Sequence, residues 1–206
     1  MNYDNLFESH KEASLYGRYI TLDSIEQLIK KTNYSLVGTS VLGKPIYKIE
    51  LGSGKTRIFM WSQMHGNEST TTKAVFDLLR LLNSKSELSD QLLKKYTICI
   101  LPMVNPDGAK LYKRVNANEV DLNRDSVDLS QPESKVLRNV FEEFNPDFCF
   151  NLHDQRTIFG VSDTGKPATI SFLAPAYNET REYNVTRMRA VKWIETMNIT
   201  LQHYIP

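Results

Sequence analysis

Arg57-Ile-Phe-Met-Trp61 is followed, after three residues, by His65-Gly-Asn-Glu68. The first run is apolar and bulky and reads as a β-strand, and a helical pattern begins near Ser69. A histidine and a glutamate three residues apart at such a junction can point the same way and share one cation. Zinc in hydrolases often takes two His and one Glu and leaves a fourth position for water. With 4 His and 24 Asp+Glu in 206 residues, the pair alone is a common product of composition. The reading therefore needs a third ligand.

His153 is the candidate. It follows a second apolar run, Asp147-Phe-Cys-Phe-Asn-Leu152, and precedes Asp154. His10, in a polar N-terminal stretch, and His203, near the C-terminal end, read as surface or packing residues. Ligands of open α/β sheets gather beyond the carboxyl ends of the strands. His65 and His153 both occupy such ends, so loops from two strands can bring them together across a long sequence separation. A short spacer, a long spacer and a third ligand form the layout expected of a catalytic zinc.

Between them lies a polar region. Asn105-Pro-Asp-Gly108 has turn chemistry, because proline pre-sets φ and glycine tolerates positive φ. Lys113-Arg-Val-Asn-Ala-Asn-Glu-Val-Asp-Leu-Asn-Arg-Asp125 has little apolar periodicity and reads as loop. Arg114 and Arg124 can each make forked hydrogen bonds to a carbonyl or carboxylate.

In order and context, His65-Gly-Asn-Glu68, Asn105-Pro-Asp-Gly108, Val120-Asp-Leu-Asn-Arg-Asp125 and Asn151-Leu-His-Asp154 resemble the zinc metallocarboxypeptidases of the carboxypeptidase A family. Val37-Gly-Thr-Ser-Val-Leu-Gly-Lys-Pro-Ile-Tyr47 looks like the strand pair that precedes the first ligands there, and the resemblance runs from about Tyr19 to Thr157. It implies one zinc ion on His65, Glu68 and His153, the two-histidine, one-glutamate set known for that family. Arg114 matches the arginine that polarises the scissile carbonyl. Asn123 and Arg124 match the pair that grips the substrate's C-terminal carboxylate. Asp121 matches the acid that hydrogen-bonds the first zinc histidine, fixing its tautomer and raising its basicity. Asn67 stands where carboxypeptidase A has an arginine, which alters one substrate contact. The family's general-base glutamate follows a later strand. Before Pro206 only Glu179, Glu182 and Glu195 lie in the remainder, none after a strand. The expectation is a chain cut short of that glutamate and of the last part of its sheet, able to hold zinc but poorly active.

A hydrophobic content of 41% supports a core, and the length fits one domain spanning residues 1–206. A net charge of +1 without basic runs argues against nucleic-acid partners, and no segment is long enough to span a membrane. The polar N-terminus lacks a signal-peptide pattern. Cys99 and Cys149, both in strand-like runs, read as buried thiols of a reducing compartment. The expected location is cytoplasmic.

Strand and helix signals alternate. Thr21 or Asp23 can cap a helix with Leu22, Ile25, Leu28 and Ile29 on one face. Ile46–Leu51 and Arg57–Trp61 read as neighbouring strands joined by a Gly52-Ser-Gly54 turn. A helix carries Ala74, Val75, Leu78, Leu79 and Leu82. Tyr96–Leu101 and Asp147–Leu152 read as buried strands, Gln131–Phe144 as a helix, Ile170–Leu173 as a weak strand and Arg181–Met197 as a last helix. The fold class is α/β, and the resemblance implies a mixed, mostly parallel sheet with helices on both faces. The functional expectation is a zinc carboxypeptidase acting on peptides or small amides with a free carboxylate. The alternatives are a zinc amidase or deacylase acting on acylated amino acids or cell-wall peptides, and a non-catalytic zinc-binding domain.

Overall fold

The computed structural model describes residues 3–154, 160–166 and 170–204, so Thr157 and Pro206 lie outside the described residues. The chain divides into two compact units, Met1–Asp154 and Gln155–Pro206.

The first unit holds α1 (Tyr3–His10), α2 (Leu22–Ile29), β1 (Tyr34–Thr39), β2 (Pro45–Gly52), β3 (Thr56–Ser62), α3 (Thr70–Leu82), α4 (Glu87–Lys95), β4 (Tyr96–Leu101), α5 (Pro106–Leu111), α6 (Pro132–Phe144) and β5 (Phe148–Leu152). The five strands form one sheet in the order β1-β2-β4-β3-β5. β3 is parallel to both β4 and β5, β2 is antiparallel to β4, and β1 is antiparallel to β2. Four strands thus run one way and β2 alone runs against them.

Alternation along β4 divides the core in two. Ile98 and Ile100 join Ile49 of β2, Ile25 and Ile29 of α2, and Val75, Phe76, Leu79 and Leu82 of α3. Cys99 and Leu101 join Phe59 of β3 and Val140 and Phe144 of α6 on the opposite face. Period 2 along the strand and 3.6 along the helices place these residues, and helices therefore cover both faces.

Several expectations are corrected. β2 and β3 are not neighbours, because β4 lies between them. The glycines of the β2–β3 connection serve close approach instead of a hairpin. A Cβ on Gly52 would stand 2.1 Å from the Tyr96 carbonyl oxygen, and one on Gly54 would stand 2.0 Å from the Lys95 carbonyl carbon. Ser53 N–H donates to Leu93 O (2.9 Å), and Thr97 Oγ1 donates to Gly54 O (2.7 Å), which pins the α4–β4 junction onto this loop. Asn105-Pro-Asp-Gly108 opens the helix α5, with Asn105 as N-cap and Pro106 in the first turn, where a missing N–H costs nothing. β5 has one neighbour among the described strands and alternates between half-buried and exposed residues, so Cys149 is exposed while Cys99 is buried. The short helices α1 and α4 escaped the sequence reading.

In the second unit, residues 170–173 form no strand. A 3-10 turn covers Ser162–Thr164, and α7 spans Val185–Leu201, with the Asn184 side chain accepting from Arg187 N–H. No helix among the described residues is long and apolar enough to cross a membrane.

The glycine reading is testable. Gly54→Ala forces a methyl into the α4–β4 backbone and should cost about 1–3 kcal/mol, as overpacked sites do. A urea-unfolding midpoint equal to the unsubstituted chain's would contradict the close approach.

Candidate metal centre

The β3–α3 loop carries the first two candidate ligands, and its shape is set from beneath. Gln63 adopts left-handed backbone (φ 49°) and is 1% exposed. Its buried amide is fully partnered: Nε2 donates to Ile20 O (2.8 Å) and Gly66 O (2.9 Å), and Oε1 accepts from Thr72 Oγ1 (2.8 Å). Asn105 supports the same loop. Its N–H donates to Gln63 O (3.1 Å), its Nδ2 donates to Met64 O (3.2 Å), and its Oδ1 caps Gly108 N–H (2.8 Å). Gly66 lies so close to α5 that a Cβ would sit 2.0 Å from the Gly108 carbonyl carbon. The two sequence motifs are therefore one construction, with the second acting as the floor of the first.

Glu68 N–H donates to His65 O (3.0 Å), and this tight turn brings the glutamate back over its own histidine. His65 Nδ1 lies 2.9 Å from Glu68 Oε1, and His153 Nδ1 lies 2.8 Å from Glu68 Oε2. The two imidazole centroids are 4.7 Å apart. One potential ligand atom from each of His65, Glu68 and His153 lies within 4.8 Å of the others. Two imidazole nitrogens and one carboxylate oxygen match the donor set of a hydrolytic zinc site. The second nitrogen of His65, Nε2, lies 3.0 Å from Asp121 Oδ1. A carboxylate on the far nitrogen leaves Nδ1 as the nitrogen that offers its lone pair, the usual support for a metal-bound histidine. The donors present fit zinc.

Electrostatics agree with this arrangement. Burial acts to raise the Glu68 carboxyl, but hydrogen bonding with His153 and His65 and their charge outweigh it and hold the group well below the usual carboxylate range. Burial is outweighed in the same way at Asp121 by His65 and then Arg114, so its pKa is lowered. Both acids are thus held as carboxylates, the forms that bind a cation and orient an imidazole.

The other candidates divide. Arg114 joins the cluster, with Nε donating to Asp121 Oδ2 (3.0 Å) and Nη1 to Glu68 Oε1 (3.2 Å). Asn123 is tied to it through its backbone N–H, which donates to Asp121 Oδ1 (2.9 Å), and its Oδ1 accepts from Asn151 Nδ2 (3.3 Å). Arg124 is attached by its backbone N–H, which donates to Asp121 O (2.9 Å); the residue is exposed, and among the described residues no hydrogen bond or ion pair joins its side chain to the other candidates. Asn67 Oδ1 is buried without a partner.

Asp154 was noted in the sequence only as the neighbour of His153. Its carboxylate accepts from the N–H groups of Thr70 (3.0 Å) and Thr71 (3.2 Å), two of the orphan donors that open α3. Ser69, the formal N-cap, spends its hydroxyl on Arg18 O instead. Asp154 N–H also donates to Glu68 Oε2 (3.2 Å). One aspartate thus caps the helix that follows Glu68 and fixes the backbone that carries His153. The signal was available: an acid beside a candidate ligand, and a helix start whose own cap is otherwise engaged. Asp154→Ala should remove about 0.5–2 kcal/mol of stability, as lost caps do, and weaken zinc binding by the same chain. Thermal unfolding and chelator competition check this, and unchanged values in both would refute the role.

The family model described as zinc carboxypeptidase matches residues 21–129. Carboxypeptidase 2 of Trichophyton rubrum is 30% identical over 102 residues, which are 50% of this chain and 19% of that protein. Carboxypeptidase SOL1 of Arabidopsis thaliana is 33% identical, over 66% of this chain and 33% of that protein. The crystal structure of a metallo-carboxypeptidase from Burkholderia cenocepacia superposes with a TM-score of 0.56 at 23% identity, covering 64% of this chain and 38% of that one, a likeness of fold. The chain therefore spans about a fifth to a third of the length of these curated relatives. His153 lies beyond the residues that the family model matches, and its approach to His65 and Glu68 is seen in the structure.

Proposed function

This chain belongs to the zinc carboxypeptidase family, and on that premise we propose that it carries the metal centre of an enzyme that hydrolyses the C-terminal peptide bond of peptides. The observation that supports the reading is the convergence of His65, Glu68 and His153, with Asp121 behind His65 and Arg114 beside Glu68. These three residues would hold one zinc ion. Zinc so held would lower the pKa of bound water toward about 7 and would polarise a carbonyl. Residues 1–206 belong to one catalytic domain under this proposal.

The chain's own groups supply binding and orientation. Arg114 uses Nε and one Nη1 hydrogen on Asp121 and Glu68. A guanidinium has five N–H donors in a fixed fork, so the remainder of the fork is free to meet an oxyanion that develops at the scissile carbonyl. Asn123 spends its side-chain oxygen on Asn151, which leaves its NH2 to donate to a carboxylate. Arg124, exposed on the same loop, supplies charge for that carboxylate. Glu68 and Asp121 are both engaged by histidine nitrogens, so neither serves as the group that takes the proton from water. That role, worth about 10²–10⁴-fold, falls to another group.

The test has two stages. Chelator-stripped 206-residue chain should bind one zinc ion and lose it in His65→Ala and His153→Ala, while hydrolysing peptides poorly. The whole protein should cleave peptides with a free C-terminus and spare their C-terminal amides. There, Arg124→Ala should mainly raise KM, and Arg114→Ala should mainly lower kcat, by about 10²–10³-fold. Preference for acylated amino acids or cell-wall peptides would make the enzyme an amidase, and zinc binding without turnover by the whole protein would make it a binding domain.

A further inference from the structure

Arg114 and Asp121 bracket a tight turn, and the centre of that turn is Asn116. Its backbone N–H donates to Val120 O (3.0 Å), and its carbonyl accepts from Glu119 N–H (3.0 Å), with Glu119 in left-handed backbone (φ 59°). Its side-chain oxygen accepts from Asn118 N–H (3.1 Å) and Val120 N–H (3.0 Å). Its Nδ2 donates to Gln131 Oε1 (2.9 Å) and Glu133 Oε2 (3.2 Å). Asn116 is 1% exposed, and its amide uses all four of its hydrogen-bonding positions.

Glu133 is the less ordinary partner. It is 0% exposed, and the hydrogen bonds it accepts come from neutral groups, the Asn116 amide and the N–H of Val41 (3.1 Å). Burial pushes its carboxyl above the ordinary value. Burying a carboxyl without a cation is costly. Here the residue ties together three pieces: the first turn of α6, the β1–β2 turn and the loop that presents Arg114 and Asp121.

We infer that Asn116 and Glu133 are positioning residues for the metal centre, acting through Asp121 on His65 and through the loop on Arg114. The inference rests on the proposed zinc site. Val120 N–H, held by the Asn116 side chain, immediately precedes Asp121, whose Oδ1 lies 3.0 Å from His65 Nε2. Releasing Asn116 frees that segment, and the His65 imidazole loses its fixed support. Changes behind a metal-bound histidine commonly cost 10–100-fold in metal affinity.

A double-mutant cycle separates positioning from general destabilisation. Zinc affinity is measured by chelator competition for the 206-residue chain and for Asn116→Ala, Asp121→Ala and the double variant. Asn116→Ala should weaken zinc about 10-fold, and it should have little further effect once Asp121 is alanine. Glu133→Gln, which keeps the volume and an acceptor oxygen for Asn116, should bind more tightly than Glu133→Ala. An equal additional loss in the Asp121→Ala background would overturn the inference, as would an unchanged affinity in Asn116→Ala. A readout without metal accompanies these: the His65 Nε2–H proton resonance of the metal-free chain should exchange faster with water in Asn116→Ala. No change there would also overturn the inference. Loss of zinc binding by the unsubstituted chain would instead count against the proposed zinc site, and the proton measurement would still decide this one.

Discussion

Glu68 lies between two imidazoles, with Oε1 2.9 Å from His65 Nδ1 and Oε2 2.8 Å from His153 Nδ1, and this shared carboxylate constrains the surrounding structure. For two histidines so far apart in sequence to meet on one acid, their strands must end at the same edge of one sheet. β3 and β5 are parallel neighbours with Ser62 opposite Leu152, so the chain leaves both strands on the same side within a few residues of the ligands. A parallel pair needs a long crossover. The intervening chain provides α3, α4, β4, α5 and α6 and fills both faces of the sheet with their apolar sides.

A second constraint is that three polar side chains cannot be held together without satisfying the backbone around them. The ligand loop bends through a positive φ at Gln63, and its buried carbonyls are taken by Asn105 and by the Gln63 amide. The helix after Glu68 opens with donors that Asp154 accepts. Polar groups removed from water are costly unless paired, and each of these side chains lowers that cost while fixing a ligand's position. The rigidity of the centre and the satisfaction of its backbone are thus achieved by the same bonds.

The periodic parts of this architecture were legible in the sequence. Tyr96 to Leu101 announces a buried strand, and Val75, Leu79 and Leu82 announce a helix face, because a continuous apolar run and 3.6-residue spacing are local properties. The two histidines were legible because each ends such a strand. Strand order was not: Gly52 and Gly54 look like a hairpin turn, and only the packing of Lys95 and Tyr96 against them reveals that β4 intervenes. The Asn105 motif shows only turn chemistry in the sequence, because the six residues of α5 are too few for periodicity to show a helix. The roles of Asp154, Asn116 and Glu133 were hidden for a similar reason. Each depends on partners distant in sequence, such as Val41 for Glu133, and no local pattern encodes them. Arg114 donates to Glu68, whereas Arg124 is exposed and has no side-chain hydrogen bond to the cluster among the described residues.

We propose that His65, Glu68 and His153 form one metal site. X-ray absorption at the zinc edge of the loaded chain tests it most directly. The account predicts two imidazole nitrogens at about 2.0–2.1 Å with light oxygen scatterers completing the shell, and one imidazole fewer in His153→Ala. A sulfur scatterer near 2.3 Å, or an imidazole count unchanged by His153→Ala, would contradict it.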